Sequence, residues 1–225
     1  MEQLVVTEEG NLDVKDGKIN PVVKAFAVFF SYLFHPVFVI AWVVLFLLYR
    51  NNNVFVGMEQ DMRITVFLRV FSTSIFLPLV TVLLLKGLGF IQSIQLRTQK
   101  DRIIPYVACI TFFFWSYYVS KQLNDPLPLR AFLLSAFIAA SASLLINNYI
   151  KVSMHATGVG GMFSFFLLLL FGNLLDDVLP LLLAILITGI TCTSRLLVSD
   201  HKQAEITVGL IAGALIQFVA WMIVY

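Results

Sequence analysis

Charge is scarce in this chain: Asp, Glu, Lys and Arg make up 12% of its 225 residues, against roughly 25% in an ordinary soluble domain. With 60% hydrophobic residues and a mean hydropathy of +0.92, that scarcity excludes a soluble globular domain, which could not bury so much apolar surface. Charge of one sign is scarce as well. The net charge is +2 and the basic residues are dispersed, so no nucleic-acid surface is expected. Cysteine is nearly absent. Cys109 and Cys192 both lie inside apolar runs, which excludes a disulfide framework and a metal knuckle. The first twenty residues lack the basic start, short apolar run and small-residue cleavage site of a signal peptide, and residues 1–20 read as a polar tail. No internal repeat or low-complexity tract divides the remainder, so residues 21–225 are expected to form one domain.

What is present is a series of apolar runs near the length of about 20 residues that a helix needs to cross roughly 30 Å of hydrocarbon. They fall at about 21–49, 64–90, 104–120, 130–150, 158–175, 178–193 and 205–225. The fold class is therefore all-α: a polytopic transmembrane bundle of about six to seven helices. The third and sixth runs are short, which leaves six crossings plus a re-entrant piece open. The expected location is an integral, multi-pass position in a bacterial inner membrane. The sequence leaves oligomeric state open.

Seven crossings put three alternate connections on one face. Those loops carry Arg97, Lys100, Arg102, Lys151, His155, Arg195, His201 and Lys202, while the opposite loops carry Glu59, Asp61, Asp125, Asp176 and Asp177. A cationic, imidazole-rich face at a membrane edge suits phosphate oxygens, which arginine's fork grips in a low dielectric. The same bias arises where cytoplasmic loops collect Lys and Arg for orientation alone. His201 is followed four residues later by Glu205, one helical turn on, so the carboxylate can fix a ring tautomer and raise its basicity. That suits a nucleophilic or proton-transferring histidine, and it also suits a plain helix-start capping pair. Lys151, Ser153 and His155 precede Gly158, Gly160 and Gly161, where free amides at a helix start could meet an anion or the glycines could serve close helix packing.

These residues resemble the type 2 phosphatidic acid phosphatase superfamily of membrane lipid phosphatases, over roughly 97–213. Ser194-Arg195, five residues, His201, three residues and Glu205 resemble the family's third motif, with Glu where Asp is usual. Val152-Ser153-Met154-His155 resembles the second motif, Pro-Ser-Gly-His. The first motif is Lys, six residues, then Arg-Pro. Here Arg97 stands at the Lys position and Pro105 at the Pro, but Ile104 occupies the Arg position and Arg102 lies two residues earlier. The resemblance implies a phosphohydrolase acting on a lipid phosphate or polyprenyl pyrophosphate through a phosphohistidine, with no cofactor and no metal. His201 would be the nucleophile, Glu205 its activating partner and His155 the acid for the leaving oxygen. Arg97, Arg195 and Ser153 would bind the phosphoryl oxygens. Arg102 as a replacement for the missing motif arginine, and Lys151 as a further cation, are our own additions. The family places such a site away from the cytoplasm, whereas the raw charge count places it inside.

Two other readings stand beside this one: a membrane prenyl transferase, which should carry paired Asp-rich magnesium motifs, and a non-catalytic lipid-binding protein. Among the remaining conspicuous residues, His35-Pro36 reads as a kink inside the first helix with a hydrogen-bonded histidine. Arg69 reads as snorkelling to the interface, residues 112–118 as interfacial and lipid-facing aromatics, and Gly209 and Gly213 as a packing face.

Overall fold

The computed structural model describes residues 2–6, 12–16, 19–91, 98–199 and 201–225. Past an N-terminal ribbon the described chain is helical throughout. The elements are α1 (Pro21–Leu33), α2 (Pro36–Tyr49), α3 (Gln60–Phe71), α4 (Leu77–Gly87), α5 (Gln99–Gln122), α6 (Leu127–Ile146), α7 (Met154–Phe171), α8 (Leu179–Val198) and α9 (Gln203–Val224). Among the described residues six helical stretches are long and apolar enough to cross a membrane, and the α1–α2 pair, bent by 64°, makes a seventh if it counts as one crossing. The chain is a multi-pass membrane protein. The short third and sixth runs are not re-entrant. Their helices extend through the flanking polar residues to 24 and 20 residues, about 36 and 30 Å at 1.5 Å per residue. The polar N-terminal segment contains an antiparallel ribbon, β1 (Glu2–Val6) with β2 (Leu12–Asp16), in the register Glu2 to Asp16 and Val6 to Leu12.

The broken piece is the first run. Proline at 36 disfavours helical geometry at the residue before it, and His35 takes φ −59 and ψ 139. His35 is thus a helix start, not a residue inside a kinked helix. Its Nδ1 accepts the Val37 N–H at 3.4 Å, and the Trp42 indole donates to the orphaned Leu33 carbonyl at 3.1 Å. A second proline acts differently. Pro78 has no N–H for the Ser74 carbonyl four residues back, and the helix widens into a π turn over Ser72–Phe76, with the Leu77 N–H reaching Ser72. The chain from 60 to 87 stays one span.

Helices α7 and α9 make the most extensive helix pair, because glycine lets their backbones touch. A Cβ on Gly213 would collide with the Thr157 carbonyl, one on Gly160 with the Leu210 carbonyl, and one on Gly209 would sit 2.8 Å from the Ser153 carbonyl. The apolar core, including Leu47, Leu133, Phe165 and Leu169, fills the rest of the bundle. On the face away from the cationic loops, Asp176 accepts hydrogen bonds from the Asn52 backbone and side chain and from Asn53 Nδ2 at 2.8–3.3 Å. Arg69 does not snorkel: it pairs with Asp125, which also accepts from Ser120 Oγ. Within the 112–118 aromatics, Phe114, Trp115 and Tyr118 are exposed as expected, but Phe113 is buried.

Gly213→Ala is expected to force α7 and α9 apart and to lower stability by about 1–3 kcal/mol, the usual range for overpacking. Gly189→Ala, whose Cβ meets nothing within 4 Å, is the matched control. Denaturation in mixed micelles checks the pair, and equal midpoints would contradict the close-contact account.

Candidate functional site

The site is assembled at the end of the bundle where α5 begins, α6 passes into α7 and α8 passes into α9. Its anchors are local. Gln99 and Asn147 trade hydrogen bonds, Gln99 Nε2 to the Asn147 carbonyl at 2.7 Å and Asn147 Nδ2 to the Gln99 carbonyl at 3.0 Å, which ties the first turn of α5 to the end of α6. One turn later Arg102 points inward, 4% exposed, and its Nη1 donates to the Val152 carbonyl at 3.0 Å. Ser153 caps α7 and donates its own N–H to the Glu205 carbonyl at 3.2 Å. The connection into α7 is therefore hydrogen-bonded to the first turn of α9.

Glu205 is the third residue of α9. Its Oε2 accepts from His201 Nδ1 at 2.7 Å and from the Lys202 N–H at 3.3 Å. A carboxylate can only accept here, so Nδ1 carries the hydrogen and Nε2 holds the lone pair of the neutral ring. That lone pair faces Arg102, whose Nη2 stands 3.4 Å from it. His201 is buried, and burial above all holds its pKa below the ordinary 6.5, with the Arg102 and Arg195 charges acting the same way against the opposing pull of the Glu205 hydrogen bond. The bland capping role and the oriented imidazole coexist in one carboxylate.

A second cluster adjoins it. Arg195, in the last turn of α8, donates from Nη1 to the Ser31 hydroxyl at 2.7 Å. His155 Nε2 donates to the Ser31 carbonyl at 3.1 Å, and its ring meets the His35 ring edge-to-face with centroids 5.0 Å apart. Arg195 is close enough to act electrostatically on both His155 and His201, so the two clusters share one field. Arg102, Arg195 and Glu205 thus all act on the one imidazole of His201.

Of the residues singled out by sequence, Arg102, His155, Arg195, His201 and Glu205 meet here. Arg102 stood at an off-motif position, yet it faces the imidazole while Ile104, at the motif position, is 42% exposed. Ser153 is fully buried, and its Oγ accepts from the Ala156 N–H, which leaves only its own O–H to donate. Lys151 is partly buried and makes no hydrogen bond or ion pair among the described residues. Arg97 lies outside the described residues. Sequence reasoning missed Ser31 altogether and took His35 for a bundle histidine. The only signal for either was His35-Pro36, read as a bend where it is a break. Among the described residues no group of three or more His, Cys, Asp or Glu is placed to hold a metal ion. No family model matches the chain, and neither a curated protein nor a solved structure matches it.

Followed by NMR of the imidazole, His201 is expected to titrate below 6.5, keeping its lone pair into mildly acid solution. Arg102→Gln removes a charge that lowers the value and should raise it. Glu205→Gln removes the partner that raises it and should lower it. Movement of either variant in the other direction would contradict this electrostatic account.

Proposed function

We propose that the protein is a membrane phosphohydrolase that cleaves a lipid phosphate or pyrophosphate through a phosphohistidine on His201. The observation that carries the reading is the arrangement of His201: Nδ1 is committed to Glu205 and the Nε2 lone pair faces the Arg102 guanidinium. A phosphoryl group entering between Nε2 and Arg102 finds a nucleophile on one side and a cation for its oxygens on the other. Phosphoryl transfer asks mainly for such positioning and charge stabilisation.

In the first step Nε2 forms a bond to phosphorus while the bond from phosphorus to the lipid oxygen breaks. That oxygen takes a proton from the His155 imidazolium, which is left as the neutral ring. The Ser31 carbonyl, which now accepts the His155 Nε2–H, occupies the position such an oxygen would take. In the second step water attacks phosphorus, its proton passes to His155, the phosphorus–nitrogen bond breaks and inorganic phosphate leaves. Arg102 and Arg195 hold the anion throughout, with Lys151 and Arg97 as further cations. The likeness of the three motifs to the type 2 phosphatidic acid phosphatases supports this reading, as do the two arginines that act on His201.

Phosphate release is expected to persist in EDTA. His201→Ala should abolish it on every substrate. His155→Ala should lose about 10²–10⁴-fold, the usual worth of general acid catalysis, on a lipid monophosphate, whose leaving alkoxide is a strong base. On a lipid pyrophosphate, whose leaving group is a phosphate, the loss should be smaller. Near-normal turnover by the His201 variant, once its insertion is verified, rejects the mechanism. Strict dependence on magnesium rejects the metal-free reading in favour of transferase-like chemistry.

A further inference from the structure

Beneath the site lies a cavity of about 200 Å³ that the proposed chemistry does not use. His35 and Met154 line its upper part, Phe113 and Phe132 line it deeper in the bundle, and α4, α5, α6 and α7 contribute the walls. Along α5 it runs from Pro105 to Phe113, eight residues or about 12 Å of helix. Its lining is almost wholly apolar.

The room comes from α6. Ser135, Ala136, Ala139, Ala140 and Ser143 all line the cavity, and their spacing of four and eight residues in two adjacent rows puts them on one face of the helix. In membranes a small-residue face normally brings a second helix into backbone contact, as Gly209 and Gly213 do for α7. Here the face of α6 borders empty space. Nearby, the Tyr106 hydroxyl lies in the wall on a side chain 5% exposed and has no hydrogen-bond partner among the described residues, the Ser143 hydroxyl being close but outside hydrogen-bond geometry. Tyr106 is one turn below Arg102, so the unpartnered polar group sits at the end of the cavity nearest the cations. On α4, Leu79 is both a wall residue and 37% exposed on the outer surface, so the cavity wall there is also the bilayer-facing surface.

We propose that this cavity receives the hydrocarbon of the substrate, and that it takes one chain, making the substrate class a single-chain lipid phosphate or pyrophosphate such as a prenyl or monoalkyl ester. The inference rests on the phosphohydrolase reading for the headgroup and on the cavity for the chain. An apolar cavity of about 150 Å³ holds a single benzene ring. A space only modestly larger, drawn out over about 12 Å, is one chain wide. The phosphate end sits between Arg102 and His201, the ester oxygen passes Tyr106, and the remainder of a long chain leaves past Leu79 into the bilayer. A two-chain phospholipid would have to leave one chain outside.

The test uses the full-length protein in lipid nanodiscs and a C15 alkylphosphonate carrying a mid-chain diazirine. After photolysis, adducts are expected on 106–113 of α5 and 132–143 of α6, with excess hexadecylphosphonate suppressing them at least tenfold and a two-chain phosphonate of equal concentration leaving them unchanged. Adducts confined to the exposed face of α8, or equal suppression by the two-chain competitor, would overturn the proposal. In parallel, Ala139→Phe, which fills the cavity, should lower kcat/KM for hexadecyl phosphate at least tenfold and leave butyl phosphate unaffected. Equal losses on both would count against a chain site, and if this variant fails to insert, the wild-type adduct map decides. Wild-type adducts in the cavity without phosphate release from either ester would uphold the chain site and overturn the hydrolysis reading.

Discussion

The backbone contact between α7 and α9 is the constraint on which the rest of the site depends. Where Gly213 meets the Thr157 carbonyl and Gly209 the Ser153 carbonyl, two helices come closer than side chains would permit, and small-residue faces do this in membranes because lipid offers no hydrophobic force to drive helices together. The consequence reaches past packing. The same approach brings the Ser153 N–H to the Glu205 carbonyl, so the stretch leading into His155 and the turn carrying His201 and Glu205 are hydrogen-bonded to each other despite lying some fifty residues apart. The geometry of the imidazole is set by backbone contact, and a rigid backbone is the right support for a group that must keep its position when an anion arrives.

Around that support the charged groups are held by backbone and side chains together. Arg102 donates to the Val152 carbonyl and stands 3.4 Å from the His201 imidazole, while Glu205 accepts from His201 and the Lys202 amide and acts electrostatically on Arg102. Elsewhere the arginines are held in the same two ways. Arg69 has its own carboxylate in Asp125, and Arg63 donates to the Met58 and Phe55 carbonyls. What sets the cationic end apart is that Arg102 and Arg195 both act on one imidazole, that of His201.

The fold was largely legible in the sequence because hydropathy registers spans directly: a backbone in lipid must satisfy itself, which leaves helices as the answer to every long apolar run. The ends were less legible. Gln99 to Arg102 and Arg195 to Val198 are polar or mixed, and a run counted by apolarity stops before them, although the helices do not. At the site, spacing within one turn could be read, as with His201 and Glu205. Spacing across helices could not. Nothing in the local sequence says that Arg102, rather than the residue two places on, faces His201, since the two positions point about 200° apart on a helix of 3.6 residues per turn. Ser31 was invisible for a stronger reason: it acts in part through its carbonyl, which every residue has.

The break at His35-Pro36 joins these points. A continuous helix from 21 to 49 would have run past the bundle as an ordinary span. With the chain turned by 64°, α1 packs instead against α8, the helix that ends in Arg195. Its last turn then offers Ser31 to Arg195 and to His155 at once, and His35 becomes the N-cap of α2, with its ring against His155 and in the cavity wall. A proline that in a soluble helix would register as damage here brings three otherwise separate things to one residue: the cation, the second histidine and the apolar space below them. His35 thereby joins the histidine cluster to the apolar cavity, since its ring meets His155 and lines the cavity wall.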